Sequence, residues 1–161
     1  MKEVINLQGE KEMVNIDTAV KTVNGIHYLL TQEEVDLKAA EESAVIANRL
    51  ATMPKQLRKA TAKTIITVDG VEYQCDADTS MAILGLVRML EELNDPTYTV
   101  QYKGVNGFHE RTLGQLKVAG LQVGSYQNKA FATEKITSEE VANGTITTEE
   151  QLQTRFNELM V

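Results

Sequence analysis

Thr64-Ile65-Ile66-Thr67-Val68-Asp69-Gly70-Val71-Glu72-Tyr73-Gln74-Cys75 is the stretch on which the fold class turns. β-Branched and aromatic residues flank an Asp-Gly pair, the dipeptide that best tolerates the two positive φ angles of a type I′ turn. A tight β-hairpin is therefore predicted here. The pattern recurs at Val23-Asn24-Gly25-Ile26-His27-Tyr28 and at Val105-Asn106-Gly107-Phe108-His109-Glu110, the latter led by Tyr98-Thr99-Val100-Gln101-Tyr102. Three hairpins are expected, with Gly25, Gly70 and Gly107 at positive φ. Two-stranded hairpins are marginal alone, so the second and third are expected to share one antiparallel sheet, while the first stands apart.

Each hairpin runs into a helix-start signal. Thr31-Gln32-Glu33-Glu34 and Thr112-Leu113-Gly114-Gln115 have the capping-box spacing, in which a hydroxyl and a carboxylate or amide satisfy each other's orphan N–H groups. Asp78 or Thr79 is the expected cap of a helix carrying Ile83, Leu86, Val87, Leu90 and Leu93 at helical spacing, stopped by Pro96. Further starts are expected at Thr137-Ser138-Glu139-Glu140 and Thr147-Thr148-Glu149-Glu150, with Asn143-Gly144 closing the short helix between them. The fold class is α+β: antiparallel hairpins each followed by a helix, a long helix in the N-terminal half and a helical C-terminal tail.

That long helix, roughly 32 to 61, is rich in Ala and Glu, and Pro54 is expected to kink or end its first part near Met53. Residues 1–63 read as an N-terminal hairpin plus this helix, an interaction region, and 64–161 as the compact α+β domain. Val35, Leu37, Val45 and Leu50 must be buried somewhere, against a partner or, in the alternative, by the helix folding back onto the chain's own sheet. They are the candidate interaction face, for a second copy or another protein.

Composition narrows the function classes. The chain has 161 residues, 42% hydrophobic and 24% charged, with 5% aromatics and no Trp, so a folded domain is expected, with a core of Leu, Ile, Val, Met and Ala. A net charge of −7 gives no general attraction to nucleic acid or anionic membranes. Lys55, Arg58, Lys59 and Lys63 form a local basic run, read as a solvated helix face. The single cysteine, Cys75, excludes an internal disulfide framework and fits synthesis in the cytoplasm. Met1 to Asn6 reads as too short and too polar for a signal-peptide apolar region, and no run in the sequence approaches the length of a membrane span, so no anchor is expected.

No pattern for chemistry emerges. His27 and His109 have no carboxylate or cysteine companions at ligand spacing and read as structural strand residues. Asp76-Ala77-Asp78-Thr79-Ser80 resembles the opening of a calcium loop, but its sixth and twelfth positions are Met81 and Val87 rather than Gly and Glu. Gly114, Gly120 and Gly124 match no phosphate-binding pattern and suit close helix packing. The expectation is a protein that is not an enzyme, with no cofactor, no metal and no catalytic residue.

In order, the hairpin into Asp76-Ala77-Asp78-Thr79-Ser80, the Ile83 to Leu93 helix, the Tyr98-Thr99-Val100-Gln101-Tyr102-Lys103 strand and the helix from Leu113 to Ile136 resemble the phage-associated domain of unknown function DUF4376, found in tail and tail-fibre-associated proteins. The pattern departs from the family in having Tyr102 where a Trp is expected and an Arg only at Arg88. The resemblance implies a phage structural role in a tail, baseplate or fibre attachment. It implies contacts with other tail or fibre proteins, homo-oligomers, and a place in the virion. The alternative is an assembly chaperone not retained in the virion. It carries no site residues with it.

Overall fold

The computed structural model describes residues 2–6, 8–14, 20–24 and 26–161. The chain is α+β, and its elements follow the order β1 (Lys2–Ile5), β2 (Lys11–Val14), β3 (Val20–Val23), β4 (Ile26–Leu29), α1 (Gln32–Thr61), β5 (Ile65–Val68), β6 (Val71–Gln74), α2 (Ala77–Leu93), β7 (Thr99–Gly104), β8 (Gly107–Thr112), α3 (Leu113–Ala142) and α4 (Glu149–Met160). They divide into two compact units, Met1–Arg49 and Leu50–Val161. The division falls inside α1 rather than at residue 63.

In the first unit the strands form one sheet in the order β2-β1-β4-β3. The β1–β2 hairpin has no Asn-Gly or Asp-Gly signal and was not anticipated; β1 joins it to the expected β3–β4 hairpin through a parallel step at Ile5 and Tyr28. Asn24 has φ +50 in the β3–β4 turn, and Gly25 lies outside the described residues. Val4 is the buried centre of this sheet.

The second unit holds the main core. Tyr73, Tyr102, Ile83, Leu90, Leu116 and Val123 cluster between the two hairpins and the α2 and α3 helices. Aromatic rings thus enter the core, contrary to the composition-based expectation: Tyr73 and Tyr102 pack with ring centroids 5.0 Å apart, and Phe156 is also buried. Of the α2 stripe, Ile83 and Leu90 are buried, while Leu86 and Val87 pack at its edge, half-buried. A second cluster joins Leu50, Met53 and Leu57 of α1 to Val141 and Ile146, and to Leu152 of α4.

The two hairpins of this unit do not form one sheet, as expected, but two separate pairs, β5–β6 and β7–β8. The reason lies in the third turn. In β5–β6 the turn residues are Asp69 and Gly70, at φ +48 and +75, the two positive angles that type I′ requires. In β7–β8, Gly104 pairs with Gly107, so the turn residues are Val105 and Asn106; Gly107 keeps a positive φ, +123, but as a strand residue. The shift frees Asn106 to act in place of a strand. Its Oδ1 accepts from the Glu72 N–H at 3.1 Å and its Nδ2 donates to the Gly70 carbonyl at 3.0 Å, beside a bond from the Val105 N–H to the Glu72 carbonyl at 2.9 Å. A few turn contacts link the hairpins where a ladder was expected.

Three helix boundaries also differ. α2 is capped by Asp76, whose side chain accepts from the Thr79 N–H, rather than by Asp78 or Thr79. α1 continues through Pro54 to Thr61, because the missing N–H is offset by burial of the ring beside Leu50. α3 runs without interruption through Thr137. That residue is fully buried, and its hydroxyl donates back to the Thr133 carbonyl at 2.8 Å instead of capping a new helix.

Candidate functional site

The face selected on α1 is placed by a well-made helix start. The Thr31 hydroxyl accepts from the Glu34 N–H at 3.2 Å, and the Glu34 carboxylate accepts from the Thr31 N–H at 2.9 Å. The same carboxylate is paired with Lys21 on β3, and these partners hold its pKa below the usual range, Lys21 first. Beyond that anchor every residue from Asp36 to Arg49 is exposed. Leu37 is 62% exposed and Val45 53%, with Ile46 at 51%, while Val35 is half-buried. Leu50 departs from the predicted set: it is 5% exposed and packs against Ile146 and Leu152. The compact unit therefore takes over the helix from Leu50, not beyond Pro54.

A second surface lies between α2 and α3 and was not anticipated. It is a groove of about 500 Å³ lined by Ile83, Leu84, Val87, Leu116, Gly120 and Gly124, with Leu121 on its wall. Leu121 is 75% exposed and Leu84 43%. The groove exists because α2 and α3 cross at Gly120, where an added Cβ would stand 3.1 Å from the Ile83 methyl. Two sequence signals could have pointed to it. Residues 79 to 87 carry no charge, so α2 is apolar beyond one stripe, and α3 has no acidic residue before Glu134. Contiguous exposed apolar surface of this kind is more informative than scattered exposed side chains.

The residues weighed for chemistry stay apart. His27 bonds to the Thr22 hydroxyl at 2.8 Å and His109 to the Asn106 side chain at 2.9 Å; each is a strand residue with a local partner. Cys75 is buried, and burial first and Asp76 second push its thiol pKa up, away from the thiolate a nucleophile needs. It borders a cleft of about 210 Å³ with Asp76, Arg58, Lys59, Gln127 and Phe131. There Arg58 is already engaged, paired with Glu134 and lying 4.3 Å from the Phe131 ring centre. Of the basic run, Lys55, Lys59 and Lys63 are exposed. Arg111 is the least expected residue: it is 6% exposed, donates to the Asp69 carbonyl at 3.0 Å, and its Nε lacks a hydrogen-bond partner. It clasps β8 to the β5–β6 turn and opens on neither the groove nor the cleft.

Among the described residues no group of three His, Cys, Asp or Glu side chains could hold a metal ion, and no helix is long and apolar enough to cross a membrane. What the geometry offers is exposed apolar surface, on α1 and in the α2–α3 groove. No family model, curated protein or solved structure matches the chain.

Proposed function

We propose that this chain is a non-enzymatic phage structural protein, a tail, baseplate or fibre-attachment component that works through protein–protein contacts. The observation that carries the protein-binding part is the uncovered stretch of α1, in which Leu37, Val45 and Ile46 are each half exposed or more. A helix stays stable chiefly by burying an apolar face, and among the described residues none from Asp36 to Arg49 is buried. The phage context rests on the resemblance to DUF4376 carried by the hairpin at Thr64 to Cys75, the α2 helix, the Tyr98 to Lys103 strand and α3.

Charged replacements at Val35 and Val45 test the surface. They should abolish association, read by sedimentation or by capture of tail proteins, and leave the Leu50–Val161 unit folded. Loss of the whole fold would instead make α1 a purely internal support. Mass spectrometry of purified particles tests the context: presence in the virion fits a structural part, and presence only in assembly intermediates fits a chaperone.

A further inference from the structure

We propose that the exposed seam of α3 pairs antiparallel with the same seam of a second copy, so that Leu121 of each enters the α2–α3 groove of the other over Gly124. This surface is separate from the α1 face, and the proposal does not depend on the phage reading. The seam is Gly114, Lys117, Leu121, Gly124, Asn128 and Phe131, a run of alternating steps of three and four residues that keeps one face of a helix toward a neighbouring helix. Its large members are exposed, Leu121 75% and Phe131 57%, with one face of the Phe131 ring covered by Arg58 of its own chain.

The choice of a second copy as occupant follows from matching sizes and charges along that run. A two-fold axis between Gln122 and Val123 sets Leu121 opposite Gly124, Phe131 opposite Gly114, and Lys117 opposite Asn128. Each large side chain faces a glycine, and the self-complementarity that a two-fold interface demands is met. Among the described residues nothing fills the space beside these two glycines. A Cβ added at Gly114 or Gly124 would meet nothing within 4 Å, although glycine is disfavoured against alanine inside a helix. Charge points the same way. Lys117 is the seam's one charged member, it is bound to Glu91 of its own chain at 2.6 Å, and in this pairing it meets the Asn128 amide rather than another lysine. A strongly charged partner would find no unpaired charge on the seam to select it.

Sedimentation equilibrium of the full chain over a wide concentration range, with circular dichroism as the check on folding, decides the matter. The expected result is a reversible dimer that Leu121→Glu weakens by at least about tenfold, since a carboxylate would be placed in an apolar groove. Gly124→Leu is the second variant. It fills the groove floor and should dissociate the dimer while leaving the thermal midpoint of the monomer unchanged or higher. A wild-type chain that is monomeric at every concentration overturns the proposal. So does a dimer that survives both variants, and if that dimer falls instead to charges at Val35 and Val45, self-association belongs to α1.

Discussion

Glycine positions show how single residues are constrained here, because equal substitutions should have opposite effects. At Gly104 an added Cβ would lie 2.7 Å from a Val71 methyl and 2.9 Å from the Glu72 carbonyl oxygen, where the third turn presses on β6. Gly104→Ala should cost roughly 1–3 kcal/mol, the usual range for forcing extra volume into packed structure. Gly85, in α2, would meet nothing, and Gly85→Ala should add roughly 0.5–1 kcal/mol by restricting the unfolded chain and favouring the helix. Urea unfolding of the two variants checks the pair, and equal shifts in one direction would contradict the turn geometry. Ionisation gives a second residue-scale test. Burial raises Cys75 above the ordinary 9.0 and Tyr73 and Tyr102 above the ordinary 10.0. The folded chain therefore holds these protons more tightly than the unfolded chain. Their contribution is full below about pH 9 and is lost as pH rises through the raised values. Thermal midpoints should fall steadily above that pH, and a thiol reagent should label Cys75 at neutral pH only as the chain unfolds.

At the scale of elements, α2 offers the clearest energetic contrast. Leu90 is 2% exposed in the main core, and Leu90→Ala should cost about 2–5 kcal/mol; Leu86, half-buried at the core's edge, should cost distinctly less on the same change. Equal losses in unfolding free energy would show that the core extends past the α2 stripe. What could be read beforehand was local chemistry. The capping pairs Thr31 with Glu34 and Thr112 with Gln115, the Asp69-Gly70 turn and the helical spacing of Ile83 and Leu90 are settled within a few residues, and all four are found as read. The misreadings arose where a distant partner decides. Asn106 leaves the expected turn glycine in a strand because Gly70 and Glu72 on the other hairpin bind its side chain. Thr137 looks like a cap until burial makes its hydroxyl bond backwards within α3. The α2–α3 groove was missed for the same reason, since it needs two helices separated by a hairpin to meet at Gly120 and Ile83. The exposed half of α1 was legible, because its Ala- and Glu-rich sequence offers too little apolar surface for core; Leu50 was not, because Ile146 and Leu152, which cover it, lie about a hundred residues away.

For the whole molecule, α1 is held at both ends and exposed between them. Its start is fixed by the Thr31 and Glu34 capping bonds and the Lys21 ion pair, and from Leu50 it is anchored through Met53 and Leu57 to Leu152. The stretch from Asp36 to Arg49 has no buried residue. Apolar burial gives this stretch little support, and isolated helices shorter than about 12–15 residues are marginal in water without it. α3 is the internal standard, since Leu116, Ala119, Val123 and Ala130 are all buried and its amides should open only with the core. Hydrogen exchange on the free chain should therefore find the amides between Asp36 and Arg49 exchanging at least about a hundredfold faster than those from Leu116 to Ala130, as expected for local opening against core opening. Protection equal to that of α3 in the free chain would mean that α1 needs no partner, and would remove the ground for reading it as a docking surface. If the proposed contacts exist, the same amides should slow when the chain is assembled with its partner. The α3 seam supplies a separate reading in that experiment: slowed exchange around Leu121 with unchanged exchange around Val45 would mark self-association through α3, and the reverse would mark capture of another protein through α1.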